Sequence, residues 1–140
     1  MSEVPAGFEM PAQVAAVPRP SASLVVTRDG ELGPELLLCH RVPEMPSFPD
    51  FWSFPGGGVT RFDRVAAEDL PQFDNDDEGA ALVALLREIV EEVGWAPSGR
   101  GLVLVDEPTR AAVLEDGKTW HPLVADGAIP ANPAGFKVIS

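Results

Sequence analysis

The sequence predicts a mixed α/β domain, and three observations carry that expectation. One stretch, "DDEGAALVALLREIVEEVG", has the spacing of a long amphipathic helix. Short apolar runs bounded by glycine and proline lie on both sides of it, and no segment repeats. At 140 residues the chain fits one domain with a real core.

Taken in order, residues 1–20 carry four prolines and little periodicity. They are expected to form a loose arm, with the domain itself over residues 21–140. Two apolar runs, Leu24 to Val26 and Leu36 to Cys39, surround a turn with glycine and proline, a strand–turn–strand signal. Cys39 follows three leucines and is expected as a small buried residue. "VPEMPSFPDF" is broken by proline and predicts a loop. "FWSFPGGGV" predicts a short strand ending in three glycines, with Trp52 and Phe54 on one face and packed in the core. Residues 60–76 mix charge with a proline and are expected to loop out irregularly.

The helix follows. Asp76 or Asp77 can cap its start, and Gly94 is a natural stop. Leu82, Leu85, Leu86, Ile89 and Val93 recur at three- and four-residue spacing and predict its buried stripe. Beyond it, "GLVLVDE" predicts a strand, and Val113–Leu114 with Thr119–Trp120 a hairpin around "EDGK". The tail predicts turns and a strand that begins at Phe136.

Composition bounds the function. The net charge of −12 argues against a nucleic-acid backbone or an anionic membrane as partner. No apolar run approaches the ~18 residues of a membrane span. "MSEVPAGFEMPAQ" lacks the basic start and apolar core of a signal peptide. Cys39 is the single cysteine, so no internal disulfide forms. Cytoplasmic location is the expectation. His40 and His121 are isolated and lack metal-ligand spacing with each other.

The charge is not evenly spread. Between Asp63 and Glu92 stand ten acids and two arginines. On the helix, Glu88 and Glu92 lie about 40° apart, with Glu91 about 60° to the other side of Glu88. Carboxylates on one such arc suit a hard divalent cation with oxygen ligands, and Arg87 can steer one of them. The same pattern also describes a solvated acidic face with Arg87 and Glu91 as an i,i+4 pair.

The wider pattern separates these readings. "REIVEEVGW" fits R-E-U-x-E-E-x-G-U, with U a bulky apolar residue, at every fixed position, and "FPGGG" supplies a glycine-rich strand end upstream. Here the sequence resembles the Nudix hydrolases, whose box reads G-x5-E-x7-R-E-U-x-E-E-x-G-U. The resemblance implies a Nudix α/β/α sandwich with a mixed β-sheet, which the chain leaves incomplete at its C-terminal end. It implies Mg²⁺- or Mn²⁺-dependent hydrolysis of a diphosphate linkage in a nucleoside-diphosphate-type substrate. Glu88, Glu91 and Glu92 would hold the metal, Arg87 would orient a carboxylate, and a backbone carbonyl at Gly56 or Gly57 would complete the coordination. Family members often dimerise, so a homodimer is expected.

One departure stands out. Counted from Gly57, the box arginine should come fourteen residues later, but Arg87 comes thirty later, so about sixteen residues are inserted. Counted back from Arg87, the first box glutamate would fall on Gly79; Glu78, one position away, is its candidate. Arg61 and Arg64 in the insertion, and Arg41 at a strand end, are candidate substrate contacts. "LLLCHRVPEMPSFPDFWSFPGGGV" looks like the branch that includes coenzyme A and acyl-coenzyme A diphosphatases, where long insertions in the box also occur. The rival reading is a non-catalytic domain of the same family that senses a nucleotide or binds a protein.

Overall fold

The computed structural model describes residues 17–46, 49–137 and 139. Most of the expected arm lies outside them. Of its last residues, Pro20 is held, its carbonyl accepting from the Val59 N–H. Among the described residues, eight short strands pair in four antiparallel ladders. β1 (Ser21–Ser23) pairs with β6 (Gly56–Gly58), β2 (Thr27–Gly30) with β3 (Gly33–Leu36), β4 (Cys39–His40) with β5 (Trp52–Ser53), and β7 (Trp95–Ser98) with β8 (Gly101–Leu104). Proline limits the ladders: Pro20, Pro34, Pro55 and Pro97 stand in or beside them and cannot donate. The described residues also form four helices: α1 (Arg61–Asp69), α2 (Asp77–Glu92), α3 (Glu107–Glu115) and α4 (Trp120–Ala125). No helix among the described residues is long and apolar enough to cross a membrane.

The hairpin predicted around the turn between the two apolar runs forms, but apart from Leu36 its strands are the residues between those runs. Thr27 faces Leu36 and Gly30 faces Gly33, leaving Glu31–Leu32 as the turn. Trp52 and Phe54 are not core residues. Trp52 is 65% exposed and stacks on His40 with ring centroids 4.7 Å apart. Cys39 is only half-buried.

The segment expected to loop out is instead a helix with a core face. Thr60 caps α1 through its side chain, which accepts from the Asp63 N–H, while Asp63 accepts from the Thr60 N–H: a reciprocal capping box. Ala66 and Ala67 of α1, with Leu70 and Phe73 after it, are buried in the core beside Val83, Leu86 and Val90. This packing turns α2. Its buried residues are Gly79, Ala80, Val83, Ala84, Leu86, Arg87, Ile89 and Val90, whereas Leu82, Leu85 and Val93 of the predicted stripe are only half-buried. Removing residues 61–75 is therefore expected to unfold the domain, and loss of the cooperative thermal transition checks this. A folded deletion variant would show that the remaining core is self-sufficient.

The hairpin predicted over residues 113–120 is also replaced. Asp106 caps α3 by accepting from Thr109 N–H, and Pro108 sits in its first turn. Val113 is buried on its inner face, and a short 3₁₀ turn, Gly117–Thr119, leads into α4 with Trp120 almost wholly enclosed. Phe136 and Lys137 form no strand. They follow a 3₁₀ turn at Pro133–Gly135.

Candidate active site

The site is built where β6 meets α2. The helix begins as expected, with the Asp76 side chain accepting from Gly79 N–H. It ends at Gly94, whose φ of +78° suits glycine and whose N–H reaches the Ile89 and Val90 carbonyls. On the last two turns the glutamates meet the glycine strand. The Gly56 N–H donates to Glu92 Oε2 at 3.2 Å. Gly57 lies so close to Glu88 that a Cβ there would stand 2.3 Å from Oε1. A side chain at this position would push the Glu88 carboxylate aside.

Arg87 is the hub. Its Nε donates to Asp63 Oδ1 at 2.8 Å and its Nη2 to Asp63 Oδ2 at 3.1 Å, a two-pronged pair. Its Nη1 donates to Glu88 Oε1 and to Glu91 Oε1, each at 3.1 Å. Its Nη2 also lies 3.5 Å from the Gly58 carbonyl. Asp63 is 2% exposed and Arg87 9%. Burial alone would weaken the guanidinium's hold on its proton. The Asp63 hydrogen bonds and the charges of Asp63, Glu91 and Glu88 more than offset that, so Arg87 stays firmly charged.

At Glu88 and Glu92 the balance favours the neutral form instead. Burial is the main cause that raises Glu88, to about 7; the Arg87 charge opposes it, and the charges of Glu91 and Glu92 add to it. Glu92 is raised by the desolvation of its carboxyl, against the Gly56 N–H and the positive charge of Arg41, which both favour its ionised form. These are carboxylates short of positive charge, and their oxygen chemistry fits a hard divalent cation. The main chain of Gly57 at Glu88 is where a backbone oxygen could join them. Among the described residues no three acidic, histidine or cysteine side chains already converge as a finished cage.

The remaining candidates separate. Arg41 lies close enough to Glu92 to act on its charge. Arg64 is paired with Asp77 at 2.7 Å. Arg61 lies over the Phe62 ring, 4.8 Å from its centroid. Glu78 is exposed in the first turn of α2, ten residues or roughly 15 Å of helix from Glu88. The structure does not bring it to Arg87.

Residues 17–122 match the family profile described as NUDIX domain. The chain belongs to the NUDIX domain family. It is similar to the crystal structure of a NUDIX hydrolase from Alicyclobacillus acidocaldarius, at 29% identity and a TM-score of 0.65. The likeness covers 85% of this chain and 60% of that one, so this chain spans less than two thirds of that structure's length. No functionally curated protein matches it.

Membership in the NUDIX family explains the residue that sequence reasoning missed. Counting back from Arg87 led to Glu78, because it placed the inserted residues ahead of the box acid. Counting forward from Gly57 by G-x5-E falls on Asp63. The extra residues therefore stand between Asp63 and Arg87, and the ion pair between them closes the gap. The T-x-x-D capping box at Thr60 was the signal that would have fixed this count.

Proposed function

We propose that the chain hydrolyses a diphosphate linkage in a nucleotide-type substrate with Mg²⁺ or Mn²⁺ held by Glu88, Glu91, Glu92 and the main chain at Gly57. The observation that carries this reading is the convergence of Glu88 and Glu92 on the Gly56–Gly57 strand, braced from behind by Arg87. A bound divalent ion would neutralise phosphate charge and acidify a water. Arg87, held by Asp63, fixes where the Glu88 and Glu91 carboxylates point. One of the glutamates Glu88, Glu91 and Glu92 would take the proton from the attacking water. Glu92 is anchored by the Gly56 N–H, so its second oxygen is left for the ion. Arg41, whose charge acts on Glu92, would meet a phosphate oxygen of the substrate.

A coenzyme A-type substrate is the finer form of this proposal, supported by "FWSFPGGGV" and the long box insertion. Phosphate release is expected from one member of a panel of coenzyme A, ADP-ribose, NADH, diadenosine polyphosphates and nucleoside triphosphates. It should occur with Mg²⁺ or Mn²⁺ and stop in EDTA. Metal binding without turnover of any of them would favour the sensor reading.

A further inference from the structure

Glu91 and Glu92 are the final two residues of α2. A helix end is a poor place to hold metal ligands, because its last four carbonyls lack an intrahelical partner and its last turn frays. The chain closes part of this end itself. The Ile89 carbonyl accepts from the Val93 and Gly94 N–H groups, and the Val90 carbonyl accepts from Gly94.

Arg110, on α3 and outside the R-E-x-x-E-E pattern, closes the rest from a second helix. Its Nε donates to the Val90 carbonyl at 3.2 Å and its Nη2 to the Glu91 carbonyl at 2.9 Å. Its side chain passes over Gly94, where a Cβ would stand 3.1 Å from Arg110 Cδ. The Val105 N–H donates to the Gly94 carbonyl at 2.9 Å, which brings the start of α3 beside the end of α2. In a chain with 22 acids and 10 basic residues, this guanidinium turns to two main-chain oxygens and, among the described residues, to no carboxylate. The negative end of the helix dipole favours a cation there. Glu91 is thus gripped twice, its carboxylate by Arg87 Nη1 at 3.1 Å and its carbonyl by Arg110.

We infer that Arg110 is a positioning residue: by tying the Val90 and Glu91 carbonyls to α3 it fixes the last turn of α2, and with it the placement of Glu91 and Glu92 toward a divalent cation. The inference rests on the metal-site reading above. Arg110 acts through the main chain and needs no contact with metal or substrate. Charge and position make opposite predictions. A cation this close to the glutamates repels a divalent ion, so by charge alone its removal would tighten metal binding. By position its removal weakens binding, because the ion must then also order a loosened turn.

Mn²⁺ is titrated into the parent chain, Arg110→Met and Arg110→Lys, following the electron paramagnetic resonance signal of the free ion. Amide exchange at Val93 and Gly94, whose N–H groups close the last turn, is measured in the same proteins without metal. In Arg110→Met the exchange is expected to quicken and the Mn²⁺ affinity to fall, each by about tenfold or more, the range for hydrogen bonds to a charged group. Exchange at the core residues Val83 and Leu86 should stay slow, which separates a loosened turn from a lost fold. Arg110→Lys keeps the charge but reaches at most one carbonyl, so a smaller loss of both is expected; it carries the comparison where the methionine variant is too unstable to measure. Mn²⁺ binding in the variants as tight as in the parent or tighter overturns the inference, and so does unchanged exchange at the two amides. Arg110-dependent Mn²⁺ binding in a chain that hydrolyses nothing would sink the enzymatic reading and leave the role of Arg110 standing. Turnover with Arg110-independent binding would do the reverse.

Discussion

Asp63→Ala is expected to cost about 3–5 kcal/mol of folding stability, the range for breaking a buried ion pair by removing one partner. The substitution leaves Arg87 charged and nearly enclosed, with only Glu88 and Glu91 to answer it. It also opens the capping box, because Asp63 accepts from both the N–H and the hydroxyl of Thr60. For a domain of this size the melting temperature should fall by on the order of 10 °C. Urea denaturation of the two proteins checks the figure. A loss below about 1 kcal/mol would mean that α1 is held by its apolar face alone. Adding Arg87→Met to Asp63→Ala should cost less than the two single changes together, since no stranded charge remains.

Glu88→Gln is expected to lower metal-dependent turnover by more than about 100-fold, since even outer partners of metal ligands are worth 10–100-fold. Its effect on stability runs the opposite way. The folded protein holds the Glu88 proton up to about pH 7, chiefly because of burial, whereas the unfolded chain releases it near 4.5. Between those values the folded state binds more protons. The contribution of this group to stability is therefore fully present below about pH 4.5 and is lost as pH rises through 7. In EDTA at pH 8 the glutamine variant, which carries no charge to bury, should melt above the parent protein. Near pH 5 the difference should shrink. A variant less stable than its parent at pH 8 would show that the Arg87 hydrogen bond outweighs burial. Unchanged turnover would remove Glu88 from the proposed metal site.

What could be read from the sequence follows from how local each cause is. The cap at Asp76, the stop at Gly94 and the existence of α2 are written within a turn or two of the residues concerned. The family resemblance was equally compact, because its glutamates and arginine sit on one helix. The orientation of α2 was not local. Which of its apolar residues are enclosed depends on α1 lying against it, and α1 itself reads as a loop because the apolar residues it encloses are only Ala66 and Ala67. Alanines give a weak periodic signal. The same weakness hid α3, where Asp106 and Pro108 announced a helix start but Val113 was its only enclosed residue. Asp63 escaped because its partner is 24 positions away.

That distance has a thermodynamic meaning. Closing a loop costs entropy that grows only with the logarithm of its length, so going from the eight-residue interval of E-x7-R to 24 residues adds about 1 kcal/mol. Enclosing Leu70 and Phe73 is enough to offset a cost of that order. The interval between the acid and the arginine is thus a place where a chain can grow cheaply while both anchors stay put. A search that demands seven intervening residues will pass over such chains, whereas one that lets the gap vary between a capped T-x-x-D and R-E-x-x-E-E will find them.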